Sequence, residues 1–389
     1  MVYFLFAVHI YFCVKTRFVP RYTLRGIRYS LSGGEGAFSA FMQALGTTVG
    51  PGNITGVAVA ISAGGAGAVF WMWLSGIIAM STKYAESYFC LKYRTEKCGG
   101  PMVLLAREGY TSTAKLWVIL CVIAGMLMGG AVPSSALADT FSCPRIISGA
   151  LLTLFVIFAI FFGTKGISKI CSFIVPVMSV GFIFLCLVLL FSDIGATRAA
   201  VVRIFTEAFD LRALFGGGMG LAVKSGITRG LYSNESGLGS GGVLASSVPS
   251  ADPHKNALAA MTTCFWDTCV MCALTGVVFV AGGGTFGCDS KALLLNTFSH
   301  SRLFLSVSMA LFVYATVLGW YSVARLSLVY LSPRRRLFDF CFILSVFVGA
   351  LIPARVLWGM ADGVNMLMLL PSVFIFIKLS LHSDIKVLE

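Results

Sequence analysis

The chain has 389 residues, 58% of them hydrophobic and 12% charged, and a mean hydropathy of +0.90. A soluble chain of this length carries charge at about a quarter of its positions, so the composition excludes a soluble enzyme, a secreted domain and a DNA-binding protein and indicates an integral membrane protein. The net charge of +13, from 29 Lys and Arg against 16 Asp and Glu, is read as basic cytoplasmic loops rather than a nucleic-acid surface.

The N-terminus opens MVYFLFAVHIYFCVK. It has no basic region before its apolar run and no small-residue cleavage site after it, so it is not a signal peptide. Residues 2–14 fall short of the about 20 that a helix needs to cross a bilayer, which predicts a short leading membrane segment. Ten longer apolar runs follow, near 36–62, 66–91, 116–138, 146–163, 170–192, 205–226, 256–283, 302–331, 336–353 and 355–380. With these spans, 21 Lys and Arg share one face with the N-terminal cluster from Lys15 to Arg28, against seven on the other, Lys83 lying near the first face. The positive-inside rule then puts the C-terminus in the cytoplasm. The whole chain, 1–389, is expected to be one multi-pass membrane domain with its core helices over roughly 36–380.

Two spans carry breaks. In the first, ALGTTVGPGNITG (Ala44 to Gly56) places four glycines and Pro51 mid-span; in the sixth, ALFGGGMGLA (Ala213 to Ala222) places Gly216, Gly217, Gly218 and Gly220 there. Proline removes a helix donor and glycine admits non-helical backbone. Such backbone persists at membrane depth only beside protein or a water-lined cavity. Breaks at positions one and six of ten predict two inverted five-helix repeats with a binding site between them; the alternative is close helix packing through small residues. A broken helix offers N–H groups at one end and carbonyls at the other, which suits an amino acid zwitterion. Thr47, Thr48, Gly50, Gly52, Asn53 and Thr55 are small and neutral, with Gly216, Gly217 and Gly218 opposite, favouring a small neutral solute.

Asp267 lies near the centre of the seventh span, where an ionisable group is costly. Its two readings are a cation ligand or proton carrier, and a carboxyl bonded to a neighbouring helix. Lys83 and Glu86, three apart in the second span, are expected to form an intrahelical pair near the cytoplasmic face. Most of the twelve cysteines sit inside apolar runs, and Cys269-x-x-Cys272 lacks a second ligand pair, so no metal or redox site is expected. The four histidines (His9, His254, His300, His382) fall near termini or loops, and no HExxH or Walker spacing occurs. Neither an enzyme nor a primary pump is expected.

These residues together resemble the sodium:alanine (alanine or glycine:cation) symporter family over nearly the whole chain. The resemblance runs through Gly36 to Glu86, GGPM at Gly99 to Met102, RGLYSNESGLGS at Arg229 to Ser240, Asp267 with Thr268, TVLGW at Thr316 to Trp320, and LWGMADGVNMLMLLP at Leu357 to Pro371. It implies an all-α, leucine-transporter-like fold of two inverted five-helix repeats in the cell membrane, the bacterial inner membrane. It also implies sodium-coupled import of alanine or glycine, with sodium as coupling ion, no other cofactor and no nucleic-acid partner. Asn53 and the Thr47 to Gly52 backbone are then expected to hold the substrate, Gly216 to Gly218 to close the other side, Phe215 and Trp320 to line or gate the site, and Thr316 with span-one carbonyls to bind sodium. The chain departs from the family pattern at Pro51, Ala66, Gly130, Pro133, Ser135 and Ala315, and its leading helix is short. Other readings are a proton-coupled or uncoupled permease and a non-transporting receptor derived from a transporter.

Overall fold

The protein is represented by a computed structural model describing residues 2–32, 34–96, 98–141, 143–209, 218–248, 252–331, 335–383 and 385. Every regular element among them is helical. The leading segment forms α1 (Val2–Lys15), followed by the short α2 (Thr23–Ser32). The first span is bent by 44°: α3 (Gly34–Thr48) ends before Pro51, and a π-helical turn (Gly52–Gly56) leads into α4 (Val57–Gly64). After α5 (Gly67–Lys92) and the short α6 (Pro101–Arg107), the third span runs from α7 (Thr111–Ala124) through a π-helical stretch (Gly125–Ala131) into α8 (Val132–Thr140). Then come α9 (Arg145–Phe161), α10 (Gly163–Ser192), α11 (Ile194–Ala208), α12 (Gly218–Asn234) and α13 (Ser240–Ala245). The seventh span joins α14 (Pro253–Cys264) to α15 (Ala273–Ala281) through a third π-helical stretch (Phe265–Cys272). The chain closes with α16 (Ser290–Thr297), α17 (Arg302–Leu328), α18 (Arg335–Leu351) and α19 (Ala354–His382).

Among the described residues, five helices are long and apolar enough to cross a bilayer, or six with the bent first span, against the ten expected. Helices α9, α12 and α18 have only 17 residues each, while α5 is diluted by Lys83, Glu86 and Lys92. The side chains themselves point to lipid: Phe155, Phe158, Phe161, Phe173, Val180 and Phe184 on α9 and α10 are all exposed, where a soluble protein would present charge.

The sixth span differs from its expected bounds of 205–226. Helix α11 stops at Ala208, residues 210–217 lie outside the described residues, and α12 continues to Asn234. Lys224 falls within the expected span, and Arg229, expected beyond its end, also lies inside α12. At the end of that helix the Asn234 side-chain amide donates to the Gly230 carbonyl at 2.7 Å.

The intrahelical pair expected between Lys83 and Glu86 is also replaced. Both are buried, but no ion pair joins them among the described residues. The connection from α12 to α13 lies against α5 and presents free N–H groups: Glu86 accepts from Gly237 N and Gly242 N, both at 2.9 Å. Lys83 donates to the Asn234 carbonyl at 3.4 Å. The contact is close, since a Cβ at position 241 would lie 2.6 Å from Lys83 Nζ and the ammonium would have to shift. A carboxylate with two backbone donors has more to lose in desertion than a lone i,i+3 pair has to gain. Glu86→Ala strands two buried N–H groups and is expected to cost about 2–6 kcal/mol; Glu86→Gln, keeping one acceptor, should cost less. Thermal unfolding of the detergent-purified chain checks this, and equal losses in the two variants would show that charge rather than N–H acceptance matters.

Candidate substrate and cation site

The break in the first span follows from local chemistry. Pro51 has no N–H to offer the Thr47 carbonyl, and Gly50 N turns away from the helix to Asn53 Oδ1 at 2.8 Å. That frees the Gly46 carbonyl, which accepts from the Thr316 hydroxyl of α17 at 3.2 Å. Beyond the turn, Asn53 N bonds Gly50 O at 3.1 Å and Thr55 N bonds Pro51 O at 2.8 Å, restarting the helix. Thr47 and Thr48 turn their hydroxyls to their own helix, at the carbonyls of Ala44 (2.6 Å) and Leu45 (3.1 Å).

Helix α17 reaches this backbone because the contact residues are small. A Cβ at Gly50 would overlap the Thr316 hydroxyl, one at Gly319 would overlap Thr47, and one at Gly46 would meet the Ala315 methyl at 3.5 Å. The 315–319 stretch of α17 thus packs along the last turn of α3, with the Thr316 hydroxyl and the Gly46 carbonyl side by side. The next carbonyl in the same turn, that of Thr47, is denied its helical donor by Pro51.

Asn53 joins the break to the seventh span. Its Nδ2 donates to Asp267 Oδ1 at 2.7 Å, to the Asp267 carbonyl at 3.1 Å and to Cys272 Sγ at 3.3 Å. Asp267 is fully buried and also accepts from Thr268 Oγ1 (2.7 Å) and from Ser233 Oγ on α12 (2.8 Å). Three segments therefore converge on one carboxylate, and no Lys or Arg among the described residues forms an ion pair with it. Of the two readings of Asp267, the structure shows the bonds to neighbouring helices.

Trp320 sits one turn beyond Thr316, fully buried, its Nε1 donating to Glu235 Oε1 at 2.9 Å. Glu235 adopts a left-handed φ of 51° and also accepts from Ser240 Oγ at 3.0 Å. Gly218 opens α12, whereas Phe215, Gly216 and Gly217 lie outside the described residues. At the changed third-span positions, a Cβ on Gly130 would overlap Ser345 Oγ, Pro133 lies in the first turn of α8, and Ser135 donates to the Ile352 carbonyl at 2.6 Å.

Thr47, Gly50, Asn53, Asp267 and Thr316 are thus neighbours. Gly52 has open space where a side chain would stand, and Thr55 and Gly56 line a cavity of about 490 Å³ that also touches Asp139, Lys291 and Ala354. Ser233, Glu235, Glu86 and Arg229 were not found as site residues from the sequence. Ser233, Glu235 and Arg229 fell beyond the expected end of the sixth span, and Glu86 was read only as the partner of Lys83.

Over residues 1–387 the sequence matches the sodium:alanine symporter family. It is 35% identical to the sodium/alanine symporter AgcS of Methanococcus maripaludis, covering 88% of this chain and 81% of the relative. It is 34% identical to an uncharacterized transporter of Haemophilus influenzae, covering 95% and 88%. Identity is 28% to the sodium/proton-dependent alanine carrier protein of Bacillus sp. strain PS3, covering 86% and 83%. With this match along its length, and with apolar helices that span a membrane, the chain belongs to the sodium:alanine symporter family.

Proposed function

We propose that the chain imports a small neutral amino acid, alanine or glycine, in symport with sodium across the cell membrane, its C-terminus in the cytoplasm. The observation that carries this reading is the oxygen corner at the break: the Gly46 carbonyl, the Thr47 carbonyl and the Thr316 hydroxyl lie beside a bent helix whose far side, at Thr55 and Gly56, faces a cavity. A sodium ion entering the corner takes the Thr316 and Gly46 oxygens in place of their mutual hydrogen bond. That ties α17 to the first span, so ion binding favours one arrangement of the two, which is how an ion can bias alternating access.

The substrate's ends meet the backbone from Thr47 to Gly52, with Gly218 and Trp320 as further candidates; Phe215, Gly216 and Gly217, expected from the sequence to take part, lie outside the described residues. Asn53 fixes the break's shape: its oxygen holds Gly50 N and its amide holds Asp267. The arrangement fits two inverted five-helix repeats related through the first and sixth spans, the first bent at Pro51 and the sixth resuming at Gly218. A second reading, proton coupling, rests on Asp267, a carboxyl with three side-chain donors and, among the described residues, no ion-pair partner, and on a relative named as sodium/proton-dependent.

Uptake of labelled alanine into proteoliposomes, with sodium and proton gradients imposed separately, distinguishes the two. Accumulation is expected with sodium alone; accumulation driven by protons in sodium-free buffer would overturn sodium coupling. Asn53→Leu loses both the acceptor for Gly50 N and the donor to Asp267, and Asn53→Asp loses the donor. Both are expected to abolish uptake while the protein still inserts, and normal uptake would show that the break is a packing feature. Thr316→Ala should raise the sodium concentration for half-maximal uptake and leave substrate binding at saturating sodium nearly unchanged, because the substrate feels the ion only through a coupling of about 1–3 kcal/mol. An unchanged sodium dependence would remove Thr316 from the cation site.

A further inference from the structure

The 490 Å³ cavity holds a second constellation that the reading above does not use. Its wall on α12 carries Arg229, and its wall on α19 carries Trp358 and Asp362, four residues apart and therefore on one helix face. Arg229 lies eleven positions into α12, about 16 Å along the axis from Gly218. Among the described residues the Arg229 guanidinium makes no hydrogen bond or ion pair; it lies over the Trp358 ring, 5.7 Å from the centroid. Asp362 is half-buried, and its Oδ1 is enclosed without a hydrogen-bond partner.

Opposite charges that line one water-accessible space without an ion pair between them are an unfinished interaction. An unpaired ionised group shielded from bulk water is costly, and a ligand that answers both groups at once removes both penalties. Guanidinium binds carboxylate with two parallel N–H donors, while a carboxylate that lines the cavity suits an ammonium. A mono-anion or mono-cation satisfies one wall and leaves the other bare. The other charged groups at the cavity do not compete: Asp139 is paired with Arg145, and Lys291 is exposed at the mouth.

We propose that Arg229, Asp362 and Trp358 form a vestibular site for a free α-amino acid, separate from the break, with the carboxylate on Arg229, the ammonium on Asp362 and the side chain against Trp358. Only the choice of ligand, alanine or glycine, rests on the transport reading. The site holds substrate at a depth where the wall beside it is Thr55 and Gly56, the first turn past the break, so it is a station on the way to the centre.

Equilibrium binding of labelled L-alanine to the purified full chain at saturating sodium tests this. Two alanines per wild-type chain are expected. One is lost, or weakened at least about tenfold, in Arg229→Gln and in Asp362→Asn, and regained in the swapped double variant Arg229→Asp with Asp362→Arg. Asp362→Glu, which keeps the carboxylate, should bind as wild type, and propionate or ethylamine should compete at this site at least tenfold less well than glycine. One alanine per wild-type chain, or none, overturns the proposal and decides the matter even if the variants do not fold. Two alanines with neither sensitive to Arg229→Gln and Asp362→Asn also overturn it, as does a swap without recovery in a folded protein, which would mark the pair as a gate that closes on itself. Failure of the transport reading is separable: wild-type protein that binds an Arg229-dependent alanine but accumulates none in proteoliposomes keeps the vestibular site and loses the symport.

Discussion

The rest of the structure depends on one constraint: backbone that leaves its helix inside a membrane must find partners there. Pro51 and the flanking glycines interrupt α3, and the Asn53 side chain then does what a missing turn of helix would have done, accepting from Gly50 N. It also exports the disturbance, because its amide is held by Asp267 of the seventh span, and Asp267 in turn holds Ser233 of α12. A local defect in one helix becomes a joint among three. The approach of α17 is a consequence of the same break, since the Gly46 carbonyl accepts from Thr316 only because it has no donor of its own.

A second joint lies on the other side of α12. Glu86, Lys83 and Glu235 are buried ionisable groups that would be costly alone, and each is bonded at the connection between α12 and α13. Glu86 takes two backbone N–H groups, Lys83 a carbonyl, and Glu235 the Trp320 indole and the Ser240 hydroxyl. Because α17 carries both Trp320 and Thr316, the two joints share a lever. Thr316 holds the Gly46 carbonyl at the break, and one turn away Trp320 holds Glu235.

Membrane class, helical content and the first break were legible because they follow from composition and from Gly and Pro, whose effects are local. Asp267 was legible because a carboxyl among apolar residues is conspicuous. The sixth span was misplaced because its polar second half, Arg229 to Asn234, reads as a loop to hydropathy; its polarity is answered by cavity and neighbours that only tertiary structure supplies. Lys83 and Glu86 were read as a pair because their spacing is the sole local clue, whereas their partners lie about 150 positions away. The Thr316 contact with Gly46 joins residues separated by 270 positions, and no periodicity reports it.

The π-helical stretches in the first, third and seventh spans have a mechanical meaning. Each stores surplus chain in a wider turn, and converting such a turn to α geometry moves the surplus along the helix and rotates what lies beyond by about 100° per residue. In the seventh span the stretch from Phe265 to Cys272 contains Asp267 itself. Migration of the surplus past that position turns the carboxylate off Asn53 and Ser233 without unwinding the span or moving its ends. Such a helix can change which neighbours its polar groups address while keeping its length and its lipid-facing surface in place, a swivel in which the moving part is the register rather than the rod.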